Sequence, residues 1–331
     1  MHWPPVGGEG GLTATARAAV VTAAKRVELL NVSAREPAPG EVRVALEGCG
    51  VCGSNLPVWE GRDWFTYPLA PGSPGHEGWG EVVAVGDGVD LATGTRVAVL
   101  GDGAFATDLT VDVSAVVALP VELSARDVPG EAMGAAWNVA RRAGFAPGQT
   151  VAVVGIGFLG AVVTALAVAA GARVLAVSRR PFSREVATAM GAHDVVALDD
   201  RRQVGRAVTD LTDGDLCDVV VEAVGTQDPL DVAGDLTRAG GRLVIAGFHQ
   251  DGPRTVDLQG WNWKGLDVVN AHERDQAVVV EGVRAAVAAA AAGTLDLDPL
   301  LTHRFPLGEL DRAMDAMVRR PDGFLKAVVH T

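Results

Sequence analysis

The sequence predicts an α/β protein of two domains, a doubly wound parallel sheet and a second domain rich in β-strands. Three observations carry this. The 331 residues make about two units of ordinary domain size. Up to about Pro120 the text consists of short strand-like runs broken by Pro/Gly clusters such as Pro37–Gly40 and Pro71–Gly75. From about Thr150 the rhythm changes to strands alternating with helices.

In the first part the expected strands are Ala18–Thr22, Arg26–Asn31, Glu41–Gly48, Trp79–Val85 and Arg96–Leu100. In the second they are Thr150–Val154, Arg173–Val177, Asp194–Ala197, Asp218–Glu222, Arg242–Ala246 and Leu266–Asn270. Helical stretches such as Phe158–Ala170, Arg184–Met190 and Pro229–Thr237 fall between them, which is the pattern of a parallel sheet covered on both faces. A long Ala/Val helix follows at Asp275–Ala292. The chain then returns to a strand at Leu301–Phe305, a helix at Leu307–Val318 and a strand at Phe324–His330.

Composition narrows the function. With 41 acidic and 28 basic residues, the net charge of −13 argues against nucleic acid and against an anionic membrane surface as partners. Three cysteines rule out a disulfide framework and any four-cysteine metal cluster. Residues 1–13 read as a loose tail, with no basic start leading into an apolar run. Val151–Ala172 carries no charge and is long enough to span a bilayer. Its glycines divide it into a β-branched run and an Ala-rich helix, so it reads as a buried strand–turn–helix. The cytoplasm is the expected location.

That segment holds Gly155-Ile-Gly157-Phe158-Leu159-Gly160. A lone G-x-G-x-x-G is weak, but this one follows a strand and opens a helix. There the glycines allow a tight turn, close approach of a pyrophosphate and close helix packing, and the helix N-terminus offers N–H groups to phosphate. At the next strand end, where a dinucleotide's ribose is read, the text is Ser178-Arg179-Arg180, with no acid before Glu185. Ser178 with Arg179 or Arg180 suits a 2′-phosphate, so NADP(H) is favoured over NAD(H). The remaining strand ends place Ala223 and Val224, Gly247 and Phe248, and Ala271 along the same crevice as cofactor-binding candidates.

Two further motifs carry possible metal ligands, Gly48-Cys49-Gly50-Val51-Cys52-Gly53-Ser54 and Gly75-His76-Glu77-Gly78-Trp79-Gly80. Cys, His and Glu are all zinc ligands. The C-x-x-C of Cys49 and Cys52 is open to a redox or a zinc-knuckle reading. The context disfavours both, and Cys49 reads as a small buried strand residue.

Taken together these motifs resemble the zinc-containing branch of the medium-chain dehydrogenase/reductase superfamily. The resemblance rests on Gly75-His76-Glu77-x-x-Gly80-x5-Gly86-x2-Val89. In the same order come Pro39-Gly40-Glu41-Val42, Cys49 to Gly53, Gly94-x-Arg96-Val97, the glycine loop and Asp218 to Gly225. It implies a Rossmann sheet inserted in a GroES-like catalytic domain, with residues 14–145 and 294–331 forming the catalytic part and 146–293 the dinucleotide-binding part. It implies Cys52 and His76 as catalytic zinc ligands, and Glu77 as a ligand or near-ligand that exchanges with water. Glu131 stands where alcohol dehydrogenases carry a second cysteine and sorbitol dehydrogenase-like enzymes a glutamate. Ser54 matches the proton-relay hydroxyl.

Three departures stand out. Asn55 replaces an Asp that normally supports the His ligand, and Pro57 replaces a His on the proton exit. The four-cysteine structural zinc lobe has no room between Val99 and Ala104, so one zinc per chain is expected.

The implied activity is hydride transfer between a nicotinamide cofactor and a secondary alcohol or ketone. Trp59, Trp64, Trp79 and His249 are substrate candidates, with Glu60, Asp63 and Lys264 nearby in sequence, and together they suit a polyol, sugar or cyclitol. A zinc-free NADPH-dependent enone or quinone reductase of the same superfamily is the alternative, and a non-catalytic nucleotide-binding sensor the third reading. A homodimer or homotetramer is expected, joined at the last sheet strand near Leu266–Asn270.

Overall fold

The computed structural model describes residues 15–331, so the expected tail at residues 1–13 lies outside the described residues. The described residues begin with a hairpin, β1 (Thr15–Ala23) and β2 (Arg26–Ser33). Next come β3 (Glu41–Gly50), the short α1 (Leu56–Glu60), β4 (Glu77–Val85), β5 (Arg96–Leu100), β6 (Asp108–Asp112), β7 (Val116–Ala118) and α2 (Gly130–Ala143). The alternating part runs β8 (Thr150–Val154), α3 (Phe158–Ala169), β9 (Arg173–Ser178), α4 (Pro181–Ala189), β10 (Asp194–Ala197), α5 (Arg201–Leu211) and β11 (Cys217–Glu222). It continues through α6 (Gln227–Leu236), β12 (Thr237–Ile245), α7 (Leu258–Lys264), β13 (Asp267–Asn270) and α8 (Gln276–Ala291). The chain closes with β14 (His303–Pro306), α9 (Leu310–Arg319) and β15 (Ala327–His330).

Strands β8 to β13 form a six-stranded parallel sheet in the order β10-β9-β8-β11-β12-β13. Its central strand Val151-Ala152-Val153-Val154 is completely buried, as a strand covered on both faces must be. Strand order reverses between β8 and β11, which opens a crevice at their C-terminal ends.

The other sheet has β14-β15-β3-β4-β5-β7 in line, with β6 beside β3. The last strand, β15, runs antiparallel to the end of β3, with Val328 opposite Gly50 and Val329 opposite Cys49. The C-terminal segment is thereby set against the Cys52 motif. This is the Rossmann sheet inserted in a GroES-like domain.

Sequence periodicity missed α2 and α5 and the short, polar β6. The α2 text, GEAMGAAWNVARRA, contains two glycines that lower helix propensity. Gly134 is there because a Cβ at that position would lie 2.4 Å from Val283 Cγ2 on α8, so the two helices meet at close range. Among the described residues no helix is long and apolar enough to cross a membrane.

Candidate metal and cofactor site

Cys52 lies two residues beyond the end of β3, and His76 immediately precedes β4, whose first residue, Glu77, pairs with Gly50. The ligand atoms of Cys52, His76 and Glu77 all lie within 4.8 Å of one another. Glu131, in the first turn of α2, reaches the cluster from another side, with Oε2 4.0 Å from His76 Nε2. Ser54 Oγ is 3.5 Å from the same nitrogen. His76 Nδ1 is turned away, 2.9 Å from the Pro74 carbonyl, so Nε2 is the nitrogen that faces the cluster.

Asn55 is buried but does not hold the imidazole itself. Its Oδ1 accepts from Cys52 N at 2.9 Å and its Nδ2 donates to the Pro74 carbonyl at 3.0 Å. It ties the Cys52 turn to the backbone oxygen that orients His76, a bracing role one atom removed from the one its position implied.

Burial opposes a charge on His76, but Cys52, Glu131 and Glu77 outweigh it and push its pKa up to about 10. Burial and the Glu77 charge raise the Glu131 carboxyl, against the pull of His76. A cysteine sulfur, an imidazole and carboxylates are a fitting donor set for zinc.

The sequence reading missed Lys326, which immediately precedes β15. It is 4% exposed, and its Nζ donates to Glu77 Oε1 at 2.8 Å and to the Val51 carbonyl at 3.2 Å. Its Nζ also stands 4.9 Å from the ring centroid of Phe158, the first residue of α3. A lone Lys in an apolar C-terminal strand text gave one usable signal: a buried strand seldom carries an unpaired ammonium. Cys49 is fully buried in β3, and burial drives its thiol far above the usual range.

The glycine loop joins β8 to α3 at the crevice. Gly155 has φ +100°, and a Cβ there would lie 2.3 Å from Val224 Cγ2. A Cβ at Gly160 would lie 2.0 Å from the Gly155 carbonyl oxygen. At Gly157, the N-cap of α3, a Cβ would meet nothing within 4 Å, which leaves room beside free helix N–H groups for a pyrophosphate. Phe158 is buried and Leu159 half-buried in the first turn of α3.

At the end of β9, Ser178 is buried and Arg179 exposed. Arg180 is half-buried and donates to the Phe324 carbonyl of the catalytic domain, so it bridges the two domains. Val224 and Phe248 are exposed after β11 and β12, whereas Ala271 after β13 is buried and donates its N–H to Ile245.

Several substrate candidates take other places. Trp59 is 2% exposed in the catalytic-domain core, and its Nε1 donates to Asp315 Oδ1 at 3.1 Å. Trp79 is 1% exposed, packed in a core cluster with an edge against His330. Neither presents a surface to a substrate, because each fills core volume that its large ring is suited to. Both ring nitrogens of His249 are engaged, Nε2 with Glu222 and Nδ1 with Arg254, so neither is free for a substrate. Lys264 spends its protons on the carbonyls of Gly234, Asp235 and Thr237 at the end of α6. Trp64 remains largely exposed.

Comparison with known proteins agrees with this arrangement. A zinc-binding dehydrogenase family model matches residues 159–288, and an alcohol dehydrogenase GroES-like domain model matches residues 38–121. The chain is 28% identical to L-galactonate-5-dehydrogenase of Escherichia coli K12, over 88% of this chain and 93% of that one. It is 28% identical to sorbitol dehydrogenase of Gallus gallus, over 90% and 91%. It superposes on the crystal structure of 2R,3R-butanediol dehydrogenase from Bacillus subtilis with a TM-score of 0.84 at 25% identity, covering 96% of this chain and 99% of that one. The chain therefore belongs to the zinc-containing branch of the medium-chain dehydrogenase superfamily and is an alcohol dehydrogenase that works with a nicotinamide cofactor.

Proposed function

We propose that this protein interconverts a secondary alcohol and a ketone on a small polyhydroxylated substrate, a polyol, sugar, sugar acid or cyclitol, with NADP(H) as the favoured cofactor. The observation that carries the reading is the convergence of Cys52, His76, Glu77 and Glu131 beside the Ser54 hydroxyl. Cys52, His76 and Glu131 would hold one zinc ion, with Glu77 as a ligand or near-ligand. Bound zinc supplies a Lewis acid for the substrate oxygen, and the bound nicotinamide supplies the hydride acceptor or donor.

The chain's own residues supply the rest. Ser54 Oγ would relay the proton of the substrate hydroxyl, accepting it as its own hydroxyl proton passes on to solvent water, and the relay runs backwards in the reverse direction. Glu131, a carboxylate in place of a thiolate, makes the site more polar and suits a substrate with several hydroxyl groups. Lys326 donates to the Glu77 carboxylate and holds it in place beside the cluster. Sugar and polyol dehydrogenases among the relatives support the substrate class.

For the cofactor, the reading is supported by Ser178 and the exposed Arg179 at the end of β9, with no acid in sequence before Glu185. NAD(H) is the second choice, since Arg180 is committed to the Phe324 carbonyl. Copies of the chain would pair through β13, an edge strand that carries the exposed Val268 and follows the exposed Leu258 and Trp263 of α7. Free cysteines suit the reducing cytoplasm. The test is an activity screen across polyols, sugar acids and cyclitols with both cofactors. Turnover of a polyhydroxylated secondary alcohol with NADP supports the proposal, and turnover confined to simple alkyl alcohols opposes it.

A further inference from the structure

Side chains at the ends of β11 and β12 close a hydrogen-bonded ring. Glu222 is fully buried and uses both carboxylate oxygens. Its Oε1 accepts from Val224 N at 2.7 Å and Gly225 N at 2.8 Å, and its Oε2 lies 3.0 Å from His249 Nε2. His249 Nδ1 accepts from Arg254 Nε at 2.9 Å, which leaves the ring proton on Nε2 to donate to Glu222. Arg254 completes the circuit through Nη2 to the Gly225 carbonyl at 2.8 Å, and it also pairs with Asp251.

The ring locks two separate loops edge to edge, the one after β11 and the one after β12. A Cβ at Gly247 would lie 2.2 Å from Gly225 N and 2.6 Å from Glu222 Oε2, so even a methyl group would force the loops apart. The backbone is pinned from within while the side chains of Val224 and Phe248 stay exposed, 39% and 55%, at the crevice. Fixed backbone beneath available apolar side chains is the arrangement of a preorganised ligand floor.

We propose that Glu222, His249 and Arg254 are positioning residues that set these two loops against the nicotinamide half of the cofactor, with Arg254 as the closing member. The proposal rests on the reading of Val224, Gly247 and Phe248 as cofactor-binding: β11 and β12 lie on the opposite side of β8 and its glycine loop from β9 with Ser178, which gives them the half of the dinucleotide away from the adenosine ribose. Each link constrains the next. Without Arg254 the His249 tautomer is no longer fixed, and with it goes the donor to Glu222.

The test is calorimetric titration of the zinc-loaded protein with NADP+, NAD+ and ADP-ribose, the last lacking nicotinamide. Arg254→Ala and His249→Ala should weaken the preferred full cofactor about 10-fold and leave ADP-ribose within about twofold. His249→Gln, whose amide can donate to Glu222 and accept from Arg254, should stay within about threefold of the parent. This contrast between two substitutions of one residue stands even if Arg254→Ala fails to fold. Equal weakening of ADP-ribose and full cofactor would make the ring a general prop of the domain and overturn the proposal. Phe248→Ala separates the two ways of failing. If it weakens the full cofactor and the ring variants do not, the ring has no positioning role; if none of them does, the placement of the nicotinamide on these loops fails as well.

Discussion

Lys326 Nζ donates to Glu77 Oε1 at 2.8 Å, with both side chains almost wholly out of solvent, at the point where the C-terminal segment meets the start of β4. Gly50 makes room for the pair, since a Cβ there would lie 1.9 Å from Glu77 Oε2. Removing one member strands the other as a buried charge, which costs about 3–5 kcal/mol. Lys326→Met is therefore expected to lower the thermal midpoint markedly, and adding Glu77→Gln should recover part of the loss. A double variant no more stable than Lys326→Met alone would contradict the pairing.

Asn55 braces Cys52 and Pro74 at once. Asn55→Ala should loosen both and weaken zinc binding about 10–100-fold, with the fold retained. Competition with a chromophoric chelator measures this, and unchanged zinc affinity would show that the Pro74 carbonyl orients His76 without help.

Arg179 and Arg180, adjacent in sequence, should behave differently. Arg179→Ala is expected to weaken NADP(H) about 10-fold and leave NAD(H) unchanged, the loss of one charge-assisted contact. Arg180→Ala removes the contact with Phe324 across the domains and should alter both cofactors alike. Unchanged cofactor selectivity in Arg179→Ala would sink the 2′-phosphate assignment.

His330 and Asp127 give a pH dependence away from the site. Asp127, whose Oδ2 lies 3.5 Å from His330 Nε2, raises the histidine above its ordinary value, against burial. Burial raises Asp127, but His330 and Arg304 outweigh it and leave its carboxyl below the usual range. The histidine's contribution is full below about pH 6.5, its ordinary pKa, and fades as pH rises through the raised folded value. The aspartate's contribution is present above about pH 3.9 and lost as pH falls through the lowered one. His330→Gln should therefore depress the melting temperature at about pH 5.5 and much less at about pH 9. An equal loss at both values would mean the imidazole acts only by packing on Trp79.

Most strands of both sheets and the glycine loop were legible in the sequence because burial writes itself into periodicity. Val151–Val154 could only be an interior strand, and Gly155, Gly157 and Gly160 each meet the steric condition assigned to them. Cys52, His76 and Glu77 were legible as a spacing, and Glu131 only through resemblance, since α2 itself was missed. Lys326 was hidden because what brings it to Glu77 is the pairing of β15 with β3, a contact between chain segments 249 residues apart that no local pattern records. Trp59 and Trp79 misled for the opposite reason. Their neighbours in sequence are site candidates, but their rings point into the cores. The two ring nitrogens of His249 were likewise claimed by a buried carboxylate and an arginine that sequence order does not bring together.

The proposed activity requires one zinc ion, held where Cys52, His76, Glu77 and Glu131 converge. The most direct test measures zinc per chain and activity together, before chelation, after it, and after zinc is restored. About one zinc per chain is expected, with loss of turnover as the metal leaves and recovery in proportion to the zinc returned. Full turnover by metal-free protein would contradict it.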